Sequence, residues 1–496
     1  MAQGATISTE VPGVRRLGVS HPLVVAAFLA IVAFILRAPQ FGNPVAGFDE
    51  QLYLLIGERM WDGAIPYLDL WDRKPPGLFA LFAAMSAFGN GLIVSQIIAT
   101  LFAAATAWIV FHLAAKRTAT LPAILAAFVY LVFLRQLAGQ TTQTPVFYNL
   151  FLGVAALAIL HVARNPRDIR FSAAAMLLCG LAIQLKPTAA IEGAWFGLFL
   201  LALHWRAGLK PPAIAARAAL YIVAGLLPSL IAAAAYARIG AFDAFWFANV
   251  ESILLRQESF NALAAEQLLV TLIRGGPALA VGLAGLVLAL RADRSASTIL
   301  LTGWATVAII EVAILGSFWP HYLLPVLLPL SILAAHVLAR GWIGLAVFAV
   351  VAAPPLVSTL TRDAAVSRME TARAHDIAAA IPAEVRDQCL FVYEGFTALY
   401  SLTHACPVTR YVFTDHLRSS RDGPALGVDP HAELARALAR RPLAIVTLQN
   451  SPWQMRNVAN DRLIAETLAR DYRLEASFQD IDPDQPNTRH QIWVRR

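Results

Sequence analysis

The chain has 496 residues, 58% of them hydrophobic and 14% charged, with a mean hydropathy of +0.61. Soluble domains carry roughly 45–50% apolar and about 25% charged residues, so a larger core does not account for this composition; the chain's main solvent is lipid. The net charge of +7 is scattered over loops instead of gathered into a basic stripe, which argues against nucleic acid as a partner and for membrane topology.

Residues 1–20 are polar, and no small-x-small cleavage site cleanly follows the first apolar run. That run reads as a first transmembrane helix and the tail as cytoplasmic. A membrane helix needs about 20 mostly apolar residues. The pattern predicts about eleven spans, near 21–37, 92–114, 120–136, 145–163, 171–186, 188–205, 214–237, 266–290, 298–317, 322–339 and 341–360. Residues 76–88 are apolar but too short to cross, and are expected at the interface. Basic residues mark one set of loops: Arg15-Arg16, Lys116-Arg117, Arg164/Arg167/Arg170, Arg206/Lys210/Arg217 and Arg291/Arg294. Positive loops stay in the cytoplasm, so loops 38–91, 137–144, 238–265 and 318–321 face outward, and eleven spans put the C-terminus outside.

The polytopic part is expected over 21–360 and a soluble α/β domain over 361–496. In the latter, Leu390–Tyr393, Val408–Phe413, Leu443–Leu448 and Gln491–Val494 read as strands, with helices near 430–440 and 456–470 between them. Cys179 sits in an apolar run. Cys389 and Cys406 lie in the outer domain and either pair as a disulfide, which an oxidising compartment favours, or remain two buried thiols. No Cys/His cluster points to a metal.

The first outward loop, 38–91, is long and acidic. It reads Phe48-Asp49-Glu50-Gln51-Leu52-Tyr53, then Asp62-Gly-Ala-Ile-Pro-Tyr67, then Trp71-Asp-Arg-Lys74-Pro75-Pro76-Gly77. A carboxylate beside the membrane can take a proton or bind a cation, and a lysine can meet a phosphate as a point charge. Pro75-Pro76 would fix the start of the next helix. The alternative for these residues is an ordinary solvated loop. Two further outward ends carry polar groups. Gln184-Leu-Lys186-Pro187 sets a lysine between apolar runs, where it either serves a function or snorkels to the interface. Trp319-Pro320-His321-Tyr322 offers hydrogen-bonding groups in what is otherwise an aromatic belt.

Asp49-Glu50-x-x-Tyr53, the Gly-x-x-Pro-Tyr turn and Lys74-Pro75-Pro76-Gly77, in this order just after the first helix, resemble the first-loop signature of the C-type glycosyltransferases. The likeness is to bacterial relatives of the protein O-mannosyltransferases and of the lipid A aminoarabinose transferase, and it covers roughly residues 20–340. It implies a multi-span helical membrane enzyme that takes a sugar from a polyprenyl-phosphate donor at the periplasmic face of a bacterial inner membrane and passes it to a lipid, glycan or protein acceptor. Asp49 matches the family's catalytic aspartate, the general base. Glu50 is its neighbour and the weaker candidate, since adjacent helical side chains diverge by about 100°. Lys74 matches the lysine near the carrier phosphate. Lys186, His321, Tyr322, Tyr53 and Gln143 are the other substrate-binding candidates.

One departure stands out. Relatives carry a second acidic residue in the loop before the fourth helix, whereas this chain reads Gln143-Thr144-Pro145, with Pro145 at the acidic position. Gln143 can orient a hydroxyl but cannot take a proton. No residue set demands a cofactor; a divalent cation is left open. The rival readings are a transporter or lipid flippase, and a non-catalytic scaffold on the same fold. Charges gathered at one face, instead of at the midplane, favour interfacial chemistry over transport.

Overall fold

The computed structural model describes residues 22–256, 262–453, 455–481 and 487–496. The N-terminal tail with Arg15-Arg16 lies outside them. Helices follow in chain order: α1 Pro22–Arg37, α2 Phe48–Trp61, α3 Pro76–Ser86, α4 Gly91–Ala115, α5 Thr120–Gln136, α6 Thr144–Arg164, α7 Ile169–Ile183, α8 Ala189–Arg206 and α9 Pro211–Arg238. Two short helices, α10 Phe242–Trp246 and α11 Ser252–Leu255, are joined by a π turn. Four more complete the membrane part: α12 Ala262–Ala292, α13 Ala296–Leu315, α14 Leu324–Leu338 and α15 Gly341–Ser358.

Each of the eleven predicted spans coincides with one of these helices. Among the described residues, eight helical stretches are long and apolar enough to cross a membrane; of the other three predicted spans, α5 and α7, of 17 and 15 residues, are shorter, and the 18-residue α8 is not among the eight. The bundle is asymmetric. Nearly all of α14 is buried, whereas α9 buries only Tyr221, Gly225 and Tyr236 and turns its apolar surface outward, as a lipid-facing helix does. Helix α12 lies closely on α14 because Gly285 has no side chain: a Cβ there would strike the Leu333 carbonyl.

Helix α15 does not end where the composition changes near 361. It runs through a π turn, Thr359–Asp363, into α16 Ala364–Ala379, a continuous 39-residue helix. Arg135 at the end of α5 pairs with Asp363 at 2.5 Å and ties the bundle to this turn. The C-terminal domain follows with α17 Val385–Gln388, strand β1 Leu390–Val392, α18 Leu399–Thr403, α19 Thr414–Arg418, α20 Pro430–Ala439, β2 Ala444–Gln449, α21 Val458–Asp471, β3 Tyr472–Gln479 and β4 Arg489–Arg495.

The four strands form one sheet in the order β1-β2-β4-β3, with β1 parallel to β2 and the rest antiparallel. The predicted strand at Val408–Phe413 is absent. Only the neighbouring Pro407 makes an isolated bridge, to Leu390, and residues 408–413 run on as irregular chain toward the bundle. Strand β3 is not expected from the sequence; its residues 473–475 are exposed and its pattern is too polar to signal a buried strand. Cys389 and Cys406 are disulfide-bonded, and Cys179 is free and buried.

Candidate active site

The first loop is not open chain. Helix α2 begins at Gly47, its N-cap, and places Asp49 and Glu50 in its first turn, where the partial positive charge of unpaired N–H groups favours carboxylates. The Glu50 carboxylate folds back over Gly47, where any Cβ would collide with it. Glu50 is buried, and its Oε1 accepts a 2.6 Å hydrogen bond from the Thr141 hydroxyl. Thr141 is itself held: the Arg37 guanidinium, at the end of α1, donates to the carbonyls of Gly139 and Thr141 and, through Nε, to the Thr100 hydroxyl at 3.0 Å.

The Pro-Tyr turn positions the lysine. Tyr67 is fully buried, and its hydroxyl donates to the Lys74 carbonyl at 2.8 Å, fixing the backbone there. Pro75 then caps α3 and Pro76 starts it, with Gly77 packed against Gln184 of the α7–α8 turn that carries Lys186. The Lys74 ammonium lies 5.5 Å from the centre of the Tyr53 ring.

These elements enclose a cavity of about 380 Å³ at the end of the bundle that carries the first loop. Asp49, Glu50, Tyr53, Lys74, Gln143, His321 and Tyr322 all line it. Lys186 does not. It is buried behind Tyr322, its ammonium 4.5 Å from that ring's centre, and it acts on Asp49 and Lys74 through charge alone. Burial works against the charge on Asp49, but Lys74, His321 and a hydrogen bond from Gln143 outweigh it and hold the carboxyl below its usual range. Glu50 goes the other way: burial first, and Asp49 beside it second, push it up to about 7. Pro145 lies in the first turn of α6, buried, and contributes no polar group; Gln143 is that helix's N-cap residue. Among the described residues, no group of three or more His, Cys, Asp or Glu side chains is placed to hold a metal ion.

Sequence reasoning misses the roof. The C-terminal domain closes the cavity with Phe413, Asp415, His416, Arg421, Asp422 and Trp453, joined by Arg73 and Arg256. Phe413 packs on Phe48 with ring centres 4.9 Å apart, directly beside Asp49. Trp71 packs on His416 at 4.8 Å, and the Trp71 backbone N–H donates to the Arg410 carbonyl at 2.9 Å. Asp422 is buried and accepts from three guanidiniums, Arg73 at 2.8 Å, Arg256 at 3.1 Å and Arg421 at 3.5 Å. Burial opposes its charge, but the three arginines prevail and hold it below the usual carboxylate range. Arg73 is within reach of the sequence, since it stands beside Lys74 in the motif. The other roof residues lie more than 180 positions away along the chain and no local pattern marks them.

A carboxylate held ionised, facing a lysine and a histidine and walled by aromatic rings, can accept a proton next to a bound anion. No family model matches the chain. A curated relative, the dolichol phosphate-mannose mannosyltransferase of Haloferax volcanii, is 24% identical over 169 residues, which is 32% of this chain and 35% of that protein. The chain thus matches about a third of that relative's length. Among solved structures, ArnT from Cupriavidus metallidurans bound to undecaprenyl phosphate superposes with a TM-score of 0.64 over 95% of this chain and 97% of that one, at 16% identity. The Archaeoglobus fulgidus oligosaccharyltransferase AglB, in complex with an inhibitory peptide and a dolichol-phosphate, gives 0.53 at 12% identity over 86% and 69% of the two chains. The likeness to ArnT runs nearly end to end, C-terminal domain included: this chain shares the fold of that structure.

Proposed function

We propose that this protein is a membrane glycosyltransferase that moves a sugar from a polyprenyl-phosphate carrier to an acceptor hydroxyl at the periplasmic face of a bacterial inner membrane. The carrier phosphate sits against Lys74 and His321, with Lys186 adding positive potential from behind Tyr322. Asp49 takes the proton of the acceptor hydroxyl as its oxygen attacks the anomeric carbon. The bond from that carbon to the phosphate oxygen breaks, and the lipid phosphate leaves with the electron pair. One displacement inverts the anomeric centre. Fixed cations aimed at the leaving phosphate are the kind of preorganised stabilisation that dominates many transfers, and a general base adds about 10²–10⁴-fold.

The observation that carries this reading is the ionised Asp49 facing Lys74 and His321 in one cavity, on a fold shared with a protein crystallised with undecaprenyl phosphate. Glu50 supports Asp49 and does not share its role as base, because its carboxylate is turned back over Gly47 and taken by Thr141.

The test uses purified protein in sealed proteoliposomes, radiolabelled polyprenyl-phosphate sugar and an extract of envelope lipids and glycans as acceptors. Label should move off the carrier, and Asp49→Asn should reduce that transfer by about 10²-fold or more while leaving carrier binding intact. Transbilayer counterflow of the labelled lipid with no bond cleavage would instead establish a flippase.

A further inference from the structure

The phosphate-facing side of the cavity leaves the guanidiniums of its roof unexplained. Arg73 and Arg421 approach the single carboxylate of Asp422, which Arg256 shares. Arg256 has further interactions of its own. Three guanidiniums thus share one carboxylate. Among the described residues, buried donors remain on two of them: Nε and Nη2 of Arg73 and Nε of Arg421 lack a hydrogen-bond partner. Neighbouring acids do not supply one. Asp415 is taken by Arg418, and Asp72 accepts from the backbone N–H of Arg73 itself. Buried donors without acceptors are costly, and a guanidinium is a planar fork suited to a second carboxylate or a phosphate.

We infer that Arg73 and Arg421 form an anion subsite for a carboxylate on the sugar being transferred, so that the donor is a polyprenyl-phosphate uronic acid or a sugar of like charge. The subsite rests on the glycosyltransferase reading above. It is assigned to the sugar and not to a remote acceptor because of its position. Arg73 and Lys74 both line the one cavity of about 380 Å³, so the roof anion site and the phosphate site flank the same small volume. Both arginines line the cavity that contains Asp49. Asp422 keeps the two guanidiniums oriented and Trp71 holds Arg73 from one side, with its guanidinium carbon 5.5 Å from the ring centre.

The experiment is calorimetry on the full chain in detergent micelles, with two donors that differ at one carbon: farnesyl phosphate carrying glucuronic acid, and farnesyl phosphate carrying glucose. The glucuronyl donor should bind about tenfold tighter or better, the size expected of one charge-assisted contact. Arg73→Gln and Arg421→Gln should each collapse that ratio toward one, and Arg73→Lys should restore part of it. Binding of the glucosyl donor by each variant serves as its folding control. Equal affinity of the wild type for both donors overturns the inference. If the donors bind equally and free glucuronate binds the donor-loaded protein in an Arg421-dependent way, the subsite belongs to the acceptor, and the assignment to the sugar is overturned. If neither donor binds, the lipid-phosphate reading itself fails.

Discussion

Asp49 and Glu50 are neighbours in sequence with opposite circumstances, and the contrast follows from where one helix turn aims them. Asp49 points into a cavity shared with Lys74 and His321 and stays ionised. Glu50 points back toward Gly47 and Thr141, and burial together with the Asp49 charge pushes it up to about 7. The sign of its contribution to stability follows. An unfolded glutamate titrates near 4.5, so between about pH 4.5 and 7 the folded chain binds the proton that the unfolded chain has released. Stability therefore falls as pH rises through that window, by on the order of 3 kcal/mol if the whole shift is realised. Glu50→Gln removes the titrating group and keeps an oxygen for Thr141. Thermal melts should show the variant gaining on the wild type as pH goes from 5 to 8. A gap that does not change with pH would mean that Glu50 does not titrate there. Asp49, Lys74 and His321 can be picked out from sequence because they sit in short local motifs. Lys186 can be put at the same end of the bundle as the first loop but not behind Tyr322, since spacing along a chain says nothing of what stands between two groups.

At the level of elements, the C-terminal domain looks from sequence like an appendage, yet it is one wall of the cavity. The misread strand shows why. Val408–Phe413 has strand composition, but its residues serve the seam instead of the sheet: the Arg410 carbonyl accepts from the Trp71 backbone N–H and Phe413 packs on Phe48. Propensity cannot tell a strand from an irregular segment of the same composition docked on a helix. The seam has other ties. The Gln51 side chain accepts from the Ala398 N–H at 3.0 Å, the Ser401 hydroxyl donates to Glu58 at 2.6 Å, and Arg59 donates to the Ala405 carbonyl at 2.8 Å. The disulfide closes the loop that carries most of these contacts, with a sequence separation of 17. A cross-link of that span restricts the unfolded chain by about 3 kcal/mol. Cys389→Ser with Cys406→Ser should therefore lower the melting temperature of the purified protein. It should also raise protease cleavage between 389 and 410, because the segment loses its tether to β1. Unchanged protection there would show that the docking contacts suffice alone.

For the whole molecule, the helical pattern is the most legible property, because a bilayer imposes one length on every span and leaves little freedom. The helix from Gly341 to Ala379 marks the limit of that legibility: a change in composition reports where solvent begins, and the backbone passes that point without a break. Orientation is proposed from the basic loops alone, and it decides whether the cavity faces the compartment in which the proposed transfer takes place. Lys210, between α8 and α9, and Arg473, on β3, are both exposed and lie on opposite sides in the proposed topology. The native cysteines do not interfere, since Cys179 is buried and Cys389 and Cys406 are bonded to each other. Cysteine introduced singly at each position, Lys210→Cys and Arg473→Cys, should react differently with a membrane-impermeant maleimide applied to intact spheroplasts. Position 473 should label at once and position 210 only after lysis. The reverse result would put Asp49 and the whole cavity on the cytoplasmic side, and the periplasmic transferase would have to be abandoned whatever its geometry.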